Sequence, residues 1–269
     1  MLKHRVLTAI VLLPLVLSAI FMLSRTHFAL ASGGVMLIAA WEWAQFVAPK
    51  NFKIKIGYWL LCFAGFIGAY FIPQMILYSA AVIWWLLALF WVITYPKQQQ
   101  WTKPWILGLI GFLVMFPAWR GLVELQSLRN GSIVVLYVMC LVWVADTGAY
   151  FAGRRWGRRK LAPTVSPGKS IAGLIGGLVL TLALALLVSY DAKLSALQVF
   201  LLILLTLFTA LASVLGDLLE SMVKRYRGVK DSGTILPGHG GILDRIDSLT
   251  AALPIFALGW YLALAGGVA

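Results

Sequence analysis

The stretch "ALQVFLLILLTLFTALASVLGDLLESMVKR", residues 196–225, places a long apolar run directly before a short segment with charges of both signs. The run 196–216 contains no charged residue. A helix of about 20 such residues is long enough to cross the hydrocarbon core of a bilayer. Asp217 and Glu220 follow at once. The stretch therefore predicts a membrane-spanning helix whose end carries acidic side chains.

The composition extends this prediction to the whole chain. Of the 269 residues, 62% are hydrophobic and 12% are charged, and the mean hydropathy is +0.93. Soluble domains carry about 25% charged residues. The net charge of +13 would suggest nucleic acid in a soluble protein, but in a membrane chain it sets topology and attracts anionic lipid or phosphate. We therefore expect no nucleic-acid partner.

Apolar runs recur along the sequence and predict an all-α, polytopic integral membrane protein with about nine transmembrane helices. The predicted spans are 6–24, 28–47, 56–72, 74–94, 104–119, 132–152, 171–190, 196–216 and 249–267. The first run is too long for a signal-peptide core, so we expect it to be retained. We divide the chain into 1–125, with spans 1–5, and 126–269, a catalytic membrane region with spans 6–9.

The distribution of basic residues predicts the orientation. Most of the 22 Lys and Arg residues lie in the N-terminus and in the loops after spans 2, 4, 6 and 8. The exceptions are Arg25, Arg120, Arg129 and Lys193. Because cytoplasmic segments are enriched in Lys and Arg, we expect the N-terminus in the cytoplasm. Two long loops, 153–170 and 217–248, then face the cytoplasm together.

Acidic residues concentrate in the second of these loops. Five of the nine acids lie there: Asp217, Glu220, Asp231, Asp244 and Asp247. Two pairs have a spacing of three residues, which puts each pair on one helix face. Carboxylates that converge repel each other, and Mg²⁺ relieves that repulsion while leaving coordination positions for phosphate oxygens. We expect Asp217 and Asp244 to be the principal metal ligands, with Glu220 and Asp247 in support.

Cations and glycines surround these acids. The cations expected to neutralise phosphate groups are Lys224, Arg225, Lys230 and Arg245, with Asp231 orienting Lys230 and Ser221 orienting a phosphate. Gly240 and Gly241 follow His239 and allow backbone amides to approach an anion closely. His239 itself is a candidate general base, phosphate donor or plain loop residue, and the sequence leaves these alternatives open.

Two further acids lie inside predicted spans. Asp146 is either a functional acid at membrane depth or an interfacial residue paired with Arg154 or Arg155. Glu42, in "AAWEWAQF", either pairs with another span or carries a proton, and we favour pairing.

The segment "SPGKS", residues 166–170, resembles part of a phosphate-binding loop. Pro163 stands where that motif needs glycine, which argues against a Walker A site. Lys169 and Ser170 can still bind an anion, because the free amides at a helix N-terminus favour negative charge.

Residues 221–247, "SMVKRYRGVKDSGTILPGHGGILDRID", resemble the signature of the phosphatidate cytidylyltransferases, also called CDP-diacylglycerol synthases. Matching positions are Ser221, Lys224, Arg225, Lys230, Asp231, His239, Gly240, Gly241, Asp244, Arg245 and Asp247. The segments "GDLLES" (216–221), "DTGAYFAGRRWGRRK" (146–160) and "SPGKS" are also similar to family segments. The last one departs from the pattern at Gly168, where many members have lysine.

The resemblance implies that CTP and phosphatidate react to give CDP-diacylglycerol and pyrophosphate, with Mg²⁺ as the cofactor. It also implies an all-helical enzyme of the inner (plasma) membrane, often a homodimer, whose active site faces the cytoplasm. The catalytic residues would then be Lys224, Arg225, Lys230, Asp231, His239 and Arg245. The substrate-binding residues would be Asp146, Lys169, Ser170, Ser221, Gly240 and Gly241.

Two other functions fit parts of the sequence. A CTP-dependent lipid-alcohol kinase would need the same metal and basic residues. A secondary transporter of an anionic solute would use Glu42 and Asp146 within the membrane. Transporter sites lie near the bilayer midplane, whereas the acids here cluster at a cytoplasmic end, which favours an enzyme.

Overall fold

The computed structural model describes residues 2–236, 238 and 240–263. Within these residues the chain forms nine α-helices, a two-stranded sheet and a short 3-10 helix, Gln100–Thr102. The helices are α1 (Leu2–Met22), α2 (Arg25–Val47), α3 (Phe52–Phe71), α4 (Gln74–Thr94), α5 (Pro104–Gln126), α6 (Gly131–Trp156), α7 (Ile171–Asp191), α8 (Ala196–Arg227) and α9 (Leu243–Ala263). The strands are β1 (Lys160–Ala162) and β2 (Ser166–Ser170).

The helices have the length and composition of membrane spans. Helices α2 to α9 are each long and apolar enough to cross a bilayer, and residues Ile10–Met22 of α1 are a shorter apolar helical segment. Large apolar side chains such as Ile83, Leu187 and Phe208 lie exposed on the outer surface, where lipid can take the place of water. The predicted all-α, multi-pass membrane fold is confirmed.

Local signals in the sequence explain where the helices begin and end. Ser195 and Gln198 form a capping box at the start of α8. Gly228 ends that helix with a φ of 70°, a left-handed conformation that glycine adopts at little cost. At the start of α7, the Ser170 hydroxyl accepts a hydrogen bond from the Gly173 amide at 3.1 Å. These caps satisfy backbone groups that have no partner inside the helix.

The expected loop 217–248 is shorter than predicted, because α8 continues to Arg227 and α9 begins at Leu243. Hydropathy detects where the apolar run ends, but a helix can continue with polar residues. Glu220 and Lys224, four residues apart on α8, form an ion pair that supports this extension. The segment between the helices is therefore 228–242, which we call the connecting loop.

Helix α5 also extends past its predicted end at residue 119 and reaches Gln126. Arg120 is buried in this helix rather than in a loop, and its guanidinium lies 2.7 Å from the Glu124 carboxylate. It also lies over the Tyr70 ring. Arg120 is therefore an internal ion-pair partner and does not report on membrane orientation.

The expected loop 153–170 contains regular structure. Helix α6 continues to Trp156, and β1 and β2 then form an antiparallel hairpin in which Lys160 lies opposite Ser170. Strand β2 is the "SPGKS" segment and leads directly into α7. The segment is therefore an extended strand rather than a phosphate-binding loop.

Helix α9 packs against five other helices: α2, α4, α5, α6 and α8. Its approach to α8 depends on Gly216, since a Cβ there would lie 2.4 Å from the Asp247 carbonyl oxygen. Helices α6 and α7 approach in the same way, because a Cβ at Gly148 would lie 2.6 Å from the Gly176 carbonyl oxygen. Small residues at such contacts are typical of membrane helix pairs.

We predict that Gly216→Ala destabilises the protein, because the new methyl group would push α8 away from the α9 backbone. Overpacking of this kind costs about 1–3 kcal/mol. The thermal unfolding midpoint in detergent measures the effect. Gly34→Ala is the control, since Gly34 lies on α2 with open space around its Cα. Equal midpoints for the two variants would contradict the close approach of α8 and α9.

Candidate functional site

Acidic side chains from two helices meet where α8 and α9 are closest. Asp217 and Glu220 lie on α8, and Asp244 and Asp247 lie at the start of α9. The Asp247 carboxylate is close enough to Asp217 and Glu220 for their charges to interact. The structure thus brings together the two acidic pairs that the sequence suggested.

The Lys224 ammonium group lies between acids of both helices. Its Nζ lies 2.5 Å from Asp244 Oδ1 and 3.3 Å from Glu220 Oε2. The side chains of Lys224, Asp244 and Glu220 are 9%, 5% and 3% exposed. Because buried charges are costly without a partner, this lysine is the internal counter-ion of the acidic cluster. In this structure it faces carboxylates rather than open solvent.

Asp217 is held by two other residues. Lys169 Nζ lies 2.7 Å from Asp217 Oδ2, and the Ser221 hydroxyl donates a hydrogen bond to Asp217 Oδ1 at 3.1 Å. Lys169 belongs to β2, and the Arg225 guanidinium donates a hydrogen bond to the Val165 carbonyl oxygen at 3.3 Å next to that strand. The hairpin is therefore fastened to α8 and brings a cation to the acidic cluster.

Asp244 is surrounded by donors from the connecting loop. Its Oδ2 accepts hydrogen bonds from the Ser232 amide and hydroxyl, both at 2.9 Å, and from the Gly241 amide at 2.8 Å. Gly240 has a φ of 81°, and a Cβ there would lie 2.8 Å from Asp244 Oδ2. The glycines do let an amide approach an anion, and the anion in this structure is the Asp244 carboxylate.

The remaining predicted residues occupy different surroundings. Asp146 is an exposed residue of α6, close enough to Lys169, Asp217 and Arg245 for their charges to interact. Arg154 donates a hydrogen bond to the Tyr150 hydroxyl instead. Four other predicted residues are exposed: Arg225, Lys230, Asp231 and Arg245. Ser170 is buried and caps α7, as described above, and His239 lies outside the described residues.

Two contributors to this region were not assigned to the site from the sequence. Ser232 lies in the connecting loop and bonds to Asp244, but nothing in its sequence context distinguishes it. Glu42 lies on α2, and its carboxylate accepts hydrogen bonds from the Ile242 and Leu243 amides at 3.1 and 2.8 Å. Glu42 therefore pairs with another helix, as expected, and its partners are backbone amides at the start of α9 rather than a cation. Its only sequence signal is a lone acid in an apolar helix.

Comparison with known proteins identifies the family. A model of the Cytidylyltransferase family matches residues 3–263. The phosphatidate cytidylyltransferase of Pseudomonas aeruginosa is 45% identical over 262 residues, which cover 96% of both chains. That of Haemophilus influenzae is 43% identical over 288 residues, covering 98% of this chain and 100% of its own. That of Bacillus subtilis is 38% identical over 151 residues, 54% of this chain and 56% of its own.

The family model and the matches to the Pseudomonas aeruginosa and Haemophilus influenzae proteins extend well beyond the signature at residues 221–247 and include the first five helices. The chain therefore belongs to the cytidylyltransferase family of enzymes, and its resemblance to the phosphatidate cytidylyltransferases is confirmed.

Proposed function

We propose that the protein transfers the cytidylyl group of CTP to phosphatidate, giving CDP-diacylglycerol and pyrophosphate. The names of the relatives support these substrates. The observation that supports the chemistry is the acidic cluster around Lys224, with a second cation, Lys169, in contact with Asp217. Carboxylates and cations at one end of a membrane bundle suit a reaction between two phosphate compounds, one of which stays in the bilayer.

The residues of the cluster suit a magnesium ion. Both carboxylate oxygens of Glu220 are buried and accept no hydrogen bond among the described residues, and only Oε2 has an ion-pair partner there, Lys224 at 3.3 Å, so Oε1 is an unsatisfied acceptor. Within the same residues, no three acidic, His or Cys side chains are already arranged as a metal site. Mg²⁺ needs only one or two carboxylates when substrate phosphates complete its coordination. We assign Asp217 and Asp244 as principal ligands, with Asp247 and Glu220 in support.

Both principal ligands must exchange a contact to bind a cation, because Asp244 Oδ1 is paired with Lys224 and Asp217 Oδ2 is paired with Lys169. When bound, Mg²⁺ would draw negative charge from the reacting phosphates.

The reaction is a substitution at phosphorus. An oxygen of the phosphatidate phosphate forms a bond to the α-phosphorus of CTP, and the bond from that phosphorus to the bridging oxygen breaks. Pyrophosphate leaves with the electron pair of the broken bond. Because the attacking phosphate is already ionised near neutral pH, no strong general base is required. We therefore do not assign proton abstraction to His239.

The basic side chains have different parts in this scheme. Lys230, Arg245 and Arg225 are exposed and can neutralise phosphate oxygens, and Arg225 also fastens the hairpin. Lys169 can move from Asp217 to a phosphate when substrate binds. Lys224, which is buried, keeps the carboxylates of α8 and α9 in place. Catalysis then comes mainly from positioning and from stabilising negative charge.

The membrane surroundings suit a lipid substrate. An apolar cavity of about 850 Å³ is lined by residues of α4, α8, α9 and the hairpin, including Leu89, Leu161 and Ile255. Leu218, the neighbour of Asp217, also lines it. We place the acyl chains of phosphatidate there, so that the headgroup reaches the acids without leaving the bilayer.

The orientation and assembly also remain proposals. The site would face the cytoplasm, where CTP is available, in the inner membrane of a bacterial cell. We also predict that the protein forms a homodimer and binds no nucleic acid.

We predict that purified protein incorporates label from α-labelled CTP into lipid in the presence of phosphatidate and Mg²⁺. Label from γ-labelled CTP should remain in pyrophosphate, and EDTA should stop the reaction. Thin-layer chromatography separates the products. Transfer of γ-label to lipid would identify a kinase instead. Uptake of an anionic solute into sealed vesicles without nucleotide would support a transporter.

We predict that Asp217→Asn lowers the cytidylyl transfer rate by about 100-fold or more, because a carboxylate ligand of the proposed Mg²⁺ is lost. The protein should still insert and fold, since Asp217 is near the protein surface with a side chain that is 29% exposed. Asp191→Asn is the matched control, because Asp191 is an exposed acid at the end of α7. A wild-type rate in Asp217→Asn would refute its assignment to the metal site.

A further inference from the structure

Glu42 is a carboxylate from the N-terminal half of the chain that lies at the start of α9. It is 2% exposed. Its Oε1 accepts the Ile242 amide at 3.1 Å, and its Oε2 accepts the Leu243 amide at 2.8 Å. The first amides of a helix have no partner within it, and the helix dipole favours a negative charge there. Glu42 therefore acts as a cap for α9 supplied by a distant helix.

A short hydrogen-bonded connection leads from Glu42 to the acidic cluster. The Ser232 hydroxyl lies 3.3 Å from Glu42 Oε2 and 2.9 Å from Asp244 Oδ2, and can donate to either oxygen. Asp244 is in turn the closer partner of Lys224, at 2.5 Å against 3.3 Å for Glu220. A change at Glu42 therefore reaches Asp244 both through Ser232 and through the α9 backbone.

The connecting loop closes tightly around the Glu42 carboxylate. A Cβ at Gly233 would lie 2.4 Å from Glu42 Oε1, and one at Gly241 would lie 2.5 Å from Oε2. Glycine at both positions lets the loop backbone reach the carboxylate. The burial, the two amide donors and the two glycines together indicate a built contact rather than an incidental one.

We propose that Glu42 is a positioning residue for the reaction: it fixes the first turn of α9 and, with Ser232, the orientation of Asp244. This role rests on the proposed function, in which Asp244 belongs to the magnesium site. It gives helix α2 a part in the chemistry, although α2 contributes no residue to the signature at 221–247. Residues that orient metal ligands change metal affinity or activity by about 10–100-fold when replaced.

The first test measures the contact itself. Hydrogen exchange in detergent, followed by mass spectrometry of peptides covering 241–247, compares the wild type with Glu42→Gln and Glu42→Ala. Losing a buried acceptor should speed exchange of the Ile242 and Leu243 amides by about tenfold or more. The control is Ser32→Ala, because within the part of the chain that the structure describes the Ser32 hydroxyl bonds only to carbonyl groups of its own helix, at Phe28 and Ala29. Exchange at 241–247 should be unchanged in that variant.

The second test measures positioning. The half-saturating Mg²⁺ concentration for cytidylyl transfer should rise about tenfold in Glu42→Gln and more in Glu42→Ala, because Asp244 is no longer held. A smaller folded fraction would lower the maximal rate without moving this concentration. The Mg²⁺-induced rise of the unfolding midpoint gives a second readout without turnover, and it should shift in parallel. Ser32→Ala should match the wild type in both.

The outcomes separate this proposal from the function on which it rests. A wild-type protein that does not form CDP-diacylglycerol refutes the proposed function, and hydrogen exchange and Mg²⁺-dependent unfolding still report on Glu42. If Mg²⁺ has no effect on the wild type, the metal assignment is wrong and the KM for CTP becomes the readout. Unchanged exchange in both Glu42 variants overturns the contact. If amide exchange at 241–247 is faster in the Glu42 variants but their Mg²⁺ dependence is unchanged, Glu42 is a helix cap and not a positioning residue. The same conclusion follows from an unchanged KM for CTP where KM is the readout.

Discussion

The buried ion pairs of Lys224 are the interaction on which the rest of the site depends. One ammonium group contacts Asp244 on α9 and Glu220 on α8, so the two helices share a counter-ion. Removing one partner from a buried ion pair leaves an uncompensated charge, which costs several kcal/mol. The close approach at Gly216 places α8 and α9 near enough for these contacts. The helix packing at Gly216 and the ion pairs of Lys224 therefore hold α8 and α9 in the same relative position.

Segments far apart in the chain complete this arrangement. The hairpin supplies Lys169 to Asp217, and the connecting loop supplies Ser232 and Gly241 to Asp244. Helix α2 supplies Glu42 to the start of α9. Asp217 and Asp244 thus have donors other than Lys224, and Asp247 accepts a hydrogen bond from the Ser248 amide at 2.7 Å. Glu220 has the Lys224 ion pair on Oε2 and no partner on Oε1 among the described residues, which is the basis of the proposed metal site.

Hydropathy was enough to predict the helices, because a membrane span must be apolar over a known length. It missed the ends of α5 and α8, because charged residues interrupt the apolar pattern there while the helix continues. These residues are Arg120 in α5 and the charged residues between Asp217 and Arg227 in α8. The spacing of the acids correctly suggested two faces that converge. Contacts such as Glu42 with Leu243 join residues distant in sequence, and one sequence alone contains no signal for that pairing.

Lys224 balances buried acids of two helices. The free energies of unfolding of Lys224→Met and Lys230→Met in mixed micelles, compared with that of the wild type, test this role of Lys224. Lys230 is an exposed cation of the connecting loop, so both changes remove one positive charge. We expect a loss of about 3–5 kcal/mol for Lys224→Met and a change within about 0.5 kcal/mol for Lys230→Met. Equal, small changes in the free energy of unfolding of both variants would show that Lys224 does not balance the buried acids of α8 and α9.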